Sequence, residues 1–136
     1  MNKAKYFYFN SRDEFYRIEF SKIVFFEADG NYTNVVLCNG QKAVLGINLT
    51  QIQHVLSEQL REQARMFARV GKRHIINLTY MYRISVLQQK LTLSDGERFA
   101  FSVSISKEAL KELKDMCLNQ LKAVRLAQKT QTKGNG

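Results

Sequence analysis

The chain has no proline and no tryptophan, and it carries only two cysteines in 136 residues. Cys38 and Cys117 lie far apart without Cys-x-x-Cys spacing. That argues against a disulfide framework and a thiolate metal site, and favours small hydrophobes in the core. No run reaches the roughly 20 apolar residues that a membrane-spanning helix needs. The N-terminus, MNKAKYFYFN, is basic but soon turns aromatic and alternating. It offers no apolar signal region and no small-residue cleavage site, so the expected location is cytoplasmic. Acidic residues are scarce: 12 face 21 lysines and arginines, for a net charge of +9. Four of those cations, Lys122, Arg125, Lys129 and Lys133, follow residue 121 with no acid among them; setting them aside leaves +5 on residues 1–121. Segment 61–73 gathers Arg61, Arg65, Arg69, Lys72 and Arg73 against Glu62 alone. Such a field attracts polyanions, nucleic acid first and acidic membrane second.

Catalytic motifs are missing as well. There is no P-loop, no dinucleotide-binding glycine pattern, no Gly-x-Ser-x-Gly and no His-x-x-x-His. His54 falls at a polar position of a helical segment and reads as a surface residue. Glu27 and Asp29 sit close together at a strand end, where turn chemistry is a plainer use than acid–base work. The expectation is a binding module: no enzyme, no cofactor, no metal and no small-molecule substrate.

What is present is mostly period two, so the body is β. Tyr6–Phe9, Glu14–Phe20 and Ile23–Glu27 read as strands, the last an almost unbroken apolar run. Asp29-Gly30-Asn31 signals a turn, Tyr32–Cys38 resumes the strand pattern, and Asn39-Gly40 is a strong hairpin signal before Gln41–Leu45. The period then changes. Leu49, Ile52, Val55, Leu56 and Leu60 are spaced by threes and fours, predicting one helix over 48–60 with Asn48 or Thr50 as its cap. A second β block follows: Phe67–Val70, Ile75-Ile76, Arg83–Leu87, then Lys90–Leu93 turned by Asp95-Gly96 onto Arg98–Phe101. Ser106 caps a last helix with the stripe Ala109, Leu110, Leu113, Cys117 and Leu121. Residues 1–13 form a lead strand, 14–121 one domain, and 122–136 a basic tail expected to be disordered. Phe25, Phe26, Val70, Ile75, Ile76 and Leu93 are the expected core, and His74 a partly buried structural residue.

Between two of those strands lies a small basic knot, Gly71-Lys72-Arg73-His74. A solvated turn and an anion-touching loop are its two readings. The order of elements around it discriminates. Ile23-x-x-Phe26-Glu27-Ala28-x-x-Asn31-Tyr32 ends an apolar strand, and Phe67-x-Arg69-Val70-x-Lys72-Arg73-x-Ile75-x-Asn77 follows the helix. With Ser102-x-Ser104 before the last helix, the stretch from Glu14 to Met116 resembles the LytTR DNA-binding domain family. The resemblance implies a mainly β fold of elongated antiparallel sheets, with a short central helix and a C-terminal helix. It also implies a transcription regulator that binds double-stranded DNA through loops in successive major grooves, commonly as two copies on direct repeats.

Three loops then face DNA. The first holds Asn31, Tyr32, Thr33 and Asn34, with Thr33 or Asn34 at the position where the family often reads a base. The second is Gly71-Lys72-Arg73, where the family usually has His-Arg-Ser; Lys72 matches the contacting position, and Gly71 replaces a histidine while allowing close approach to a phosphate. The third is Ser102-Val103-Ser104, which lacks the arginine common there, with Lys107 lending charge. Asn77 holds loop shape through local backbone bonds. In most bacterial members the domain is the output of a phospho-receiver; about a dozen residues precede it here, so a free-standing version is expected, taking its signal from a partner, a membrane protein or expression level. An interaction module that binds another regulator or a membrane inhibitor is the second reading, with the final helix as its contact.

Overall fold

The computed structural model describes the backbone of residues 5–135 and the side chains of 5–128. Among these described residues ten strands form three antiparallel sheets, with two α-helices. Strand β1 (Tyr6–Asn10) pairs with β2 (Phe15–Glu19) as a separate hairpin. The central sheet contains β3 (Ile23–Asp29), β4 (Tyr32–Leu37), β5 (Lys42–Leu45), β6 (Phe67–Val70) and β7 (His74–Asn77), in the order β5-β4-β3-β7-β6. The third sheet is β8 (Met81–Ser85), β9 (Lys90–Ser94) and β10 (Ala100–Ser104), in the order β10-β9-β8. Helix α1 (Leu49–Leu60) follows β5, and α2 (Lys107–Asn135) ends the chain.

The unbroken run Ile23-Val24-Phe25-Phe26 now has a cause. Both faces of the central sheet are buried, so the run divides between two cores, Ile23 and Phe26 in one and Val24 and Phe25 in the other, with a bulge between Ile23 and Phe25 interrupting strict alternation. Phe26, Val35 and Ile75 point to the core closed by the β1–β2 hairpin and α1, where Leu49, Ile52, Leu56 and Leu60 pack. Phe25, Val36 and Ile76 point to the other core, closed by β9, β10 and the start of α2 through Leu91, Leu93, Val103, Leu110 and Leu113. Every residue expected in the core is buried. Asn48 caps α1 in a capping box: its Oδ1 accepts from the Gln51 N–H, and the Gln51 Oε1 accepts from the Asn48 N–H. Ser106 accepts from the Ala109 N–H at the start of α2.

Two expectations change. Ser102 and Ser104 are not on a loop: they lie on β10, in register with Thr92 and Lys90 of β9. The reason is Asp95. Its Oδ1 accepts from the N–H groups of Glu97, Arg98 and Phe99, which turns those residues and delays the strand to Ala100. The same donors hold its carboxyl below the usual aspartate value. The second change is the tail. Backbone from residue 122 onward is helical to Asn135 rather than a disordered segment, since alanine, leucine, lysine, glutamine and arginine are strong helix formers and no glycine intervenes before Gly134. The side chains of Lys129 and Lys133, and all of Gly136, lie outside the described residues. Cys38 and Cys117 are free and half-buried rather than fully buried, and burial raises the Cys117 thiol. Among the described residues no helix is long and apolar enough to cross a membrane.

Candidate nucleic-acid interface

Antiparallel pairing brings the predicted loops to one end of the molecule. β7 begins where β3 ends, because His74 pairs with Glu27 in the ladder. The β3–β4 turn and the β6–β7 turn therefore stand side by side. Two bonds join them: the Ala28 N–H donates to the Arg73 carbonyl (2.8 Å), and the Arg73 guanidinium donates to the Ala28 carbonyl (3.2 Å). The start of α2 closes the same end. A cleft of about 460 Å³ runs between Gly71–His74 and Ser104–Ala109.

Gly71 adopts φ +69°, the left-handed region. A side chain added there would meet the Ala109 Cβ at 3.5 Å and the Ile105 Cγ2 at 3.9 Å. The missing side chain thus faces α2 and β10. It does not open a path for a phosphate; glycine is used for the turn itself. Gly71→Ala is expected to cost about 1–2 kcal/mol through the left-handed backbone, read as a lowered urea midpoint with unchanged m-value. No loss would mean that the turn can relax.

The knot is held from below by Arg69, a cation of the Phe67–Asn77 motif whose partners the sequence does not show. Its guanidinium donates to Thr50 Oγ1 (3.2 Å) and Gln53 Oε1 (3.1 Å) on α1, and to the Lys72 carbonyl (3.1 Å). The partners are 19 and 16 residues away in sequence, so no local signal marks them. His74 is buried at 6% exposure, and its Nε2 lies within hydrogen-bond distance (2.9 Å) of Glu27 Oε2. Glu27 is thereby a partner of His74 rather than half of a carboxylate pair with Asp29. Asn77 is fully buried: it donates to the Ile23 carbonyl (2.8 Å) and accepts from the Thr79 N–H (3.0 Å). Its role is structural, with a long-range bond added to the local one.

The individual site residues divide clearly. Asn31, Tyr32, Lys72, Arg73 and Lys107 are exposed at this end, Tyr32 at 56%. Asn34 is half-buried on the face that carries Glu27 and His74. Thr33 is corrected: it is completely buried, and its hydroxyl donates to the Ile47 carbonyl (2.7 Å), so it is unavailable to a ligand. Ser104 accepts from Lys90 Nζ at 2.7 Å, and Ser102 is exposed further down β10. Among the described residues Lys72, Arg73, Lys90 and Lys107 have no carboxylate within ion-pair distance, though Glu108 and Glu112 line the cleft. The stretch between Glu62 and Asp95 contains no acidic residue and six lysines and arginines. That signal is longer than the 61–73 cluster and points to the same end through Lys72, Arg73 and Lys90.

A basic, loop-built end on a β scaffold is the electrostatic footprint expected of a polyanion-binding module. Comparison with known proteins makes this specific. The family model for the LytTr DNA-binding domain matches residues 13–117, and the chain belongs to that family. The family is a DNA-binding module of transcription regulators rather than an enzyme class. No curated protein matches the chain. Among solved structures, the LytTr DNA-binding domain of a Bacillus cereus protein superposes with a TM-score of 0.58 at 16% identity, covering 85% of this chain and 98% of that one. The likeness establishes the shared antiparallel fold.

Proposed function

We propose that this chain regulates transcription by binding duplex DNA through the end that carries the β3–β4 turn, the Gly71–His74 knot and the start of α2. The observation that carries the reading is the juxtaposition of those segments, welded by the Ala28–Arg73 bonds. Lys72, Arg73 and Lys107 hold phosphates, which fix register without reading sequence. Asn31 and Asn34 are the base readers, since an asparagine amide can pair with adenine N6 and N7. Tyr32 stacks against the backbone beside them, and Ser102 and Ser104 add hydroxyl contacts. The loops occupy successive major grooves, and two copies bind direct repeats. The test is selection from random duplexes at about 150 mM salt, where nonspecific binding is largely suppressed. A recovered direct repeat is expected. Binding at low salt with no recovered motif would sink the sequence-specific form of the proposal.

One observation favours a second reading, an interaction module. Helix α2 continues past the family match at residue 117 and exposes Leu118, Leu121 and Val124. Such a helix docks by its apolar face. Light scattering with and without duplex separates the two readings: a stable dimer that ignores DNA favours the second.

A further inference from the structure

The turn between β8 and β9 is absent from the three-loop scheme, yet it stands at the same end. It is the four-residue turn Val86–Gln89, closed by the Gln89 N–H donating to the Val86 carbonyl (3.1 Å). Gln89 adopts φ +55°, a conformation that non-glycine residues rarely keep without support. The support is visible. The Gln89 carbonyl accepts from the Ile105 N–H (3.1 Å), and neighbouring Lys90 donates to Ser104. Ile105 in turn lies against Gly71 of the knot. Val86 packs on the core beneath the third sheet. The turn is thus rigidly fastened to the segment that walls the DNA-facing cleft.

Its tip is chemically unusual. Leu87 is 84% exposed, more than any other large apolar side chain among the described residues. Gln88 beside it is exposed too. Single exposed leucines are ordinary on a protein surface. Here the leucine stands on a pinned turn with a glutamine next to it, inside the stretch without acidic residues, with Lys90 following. Leucine offers a methyl surface that matches the thymine C5-methyl, and a glutamine amide matches adenine N6 and N7. The turn itself carries no acidic side chain, and Lys90 supplies attraction.

We infer that the Val86–Gln89 turn is a fourth DNA contact that reads A·T pairs flanking the main site, Leu87 against a thymine methyl and Gln88 on adenine. The inference rests on the proposed duplex-binding function. It adds base discrimination at a place where β10 itself presents only serines.

The experiment uses the full chain and its best selected duplex. Flanking thymines are replaced one at a time by deoxyuridine, which removes only the methyl group. The wild-type protein is expected to lose about 3- to 10-fold in affinity at one flanking position, the scale of a lost methyl contact. Leu87→Ser is expected to bind the thymine duplex that much more weakly and to be indifferent to deoxyuridine. Gln88→Ala is expected to lose about 5- to 100-fold in discrimination at an adjacent A·T pair. Both side chains are exposed, so the fold should be unaffected, as checked by the urea midpoint. If a motif is selected but every flanking deoxyuridine is neutral and both variants keep wild-type preference, the fourth contact is refuted while the main reading stands. If no motif is selected at all, both fall.

Discussion

Asn77→Ala should lower the stability of the folded chain by about 2–4 kcal/mol, the cost of breaking a buried polar network and leaving an acceptor unpaired. The amide bridges two parts of the molecule. Its Nδ2 donates to the Ile23 carbonyl, 54 residues earlier at the start of β3. Its Oδ1 accepts from both the N–H and the hydroxyl of Thr79, holding the turn that leads to β8. Thr79 is exposed and can turn to water, but Ile23 is fully buried and its carbonyl loses this partner. Removal of the side chain also leaves a small void under the sheet. The loss should appear as a lower urea midpoint and a melting temperature reduced by about 10 °C for a domain of this size. Asn77→Asp tests the network separately: it keeps the acceptor toward Thr79, deletes the donor toward Ile23 and buries a charge. It should be at least as damaging at neutral pH. Stabilities within about 0.5 kcal/mol of wild type for Asn77→Ala would show that the bridge is dispensable.

That network illustrates what could and could not be read in advance. Residues 67–77 were legible as strand, turn and strand because apolar pairs flank a glycine. Their purpose was less so. Arg69 has the look of another surface cation, but its partners sit on a helix that only the fold brings near. Thr33 and Asn34 form the sharpest case. Strand alternation puts one of them with Val35 and the other with Val36, and both valines are apolar because both faces of the central sheet are covered. Sequence period alone therefore cannot choose between them, and of the two alternatives Thr33 is the one that is fully buried. The third predicted loop failed for a different reason: a single carboxylate, Asp95, gathers three N–H groups and moves the start of β10 by two residues from the expected Arg98. Helix α2 outran its expected end because a polar, basic composition is compatible with both helix and disorder. The α1 stripe, by contrast, was plain from spacing and packs as expected, whereas the α2 stripe is buried through Leu113 and leaves Leu121 45% exposed.

The largest effect should come from salt. With about five phosphates neutralised, the observed binding constant should fall with a log–log slope of about −4 to −5. Raising salt from 50 to 200 mM then weakens binding by about 10²- to 10³-fold. Lys72→Ala should reduce the magnitude of that slope by about one and weaken binding to every duplex by a similar factor, since a phosphate contact carries no sequence information. Lys72 is the cleanest probe because its side chain is exposed and has no hydrogen bond or ion pair of its own in the described structure; only its carbonyl is engaged, by Arg69. Arg73→Ala is a different experiment, because its guanidinium also bonds the Ala28 carbonyl and its loss would loosen the β3–β4 turn. It should therefore disturb both the slope and the preference at the bases proposed to face Asn31 and Asn34. A Lys72→Ala protein with an unchanged slope would remove the knot from the phosphate-contacting surface. An Arg73→Ala protein that lost slope but kept full preference would show that the two turns act independently, despite the pair of bonds between them.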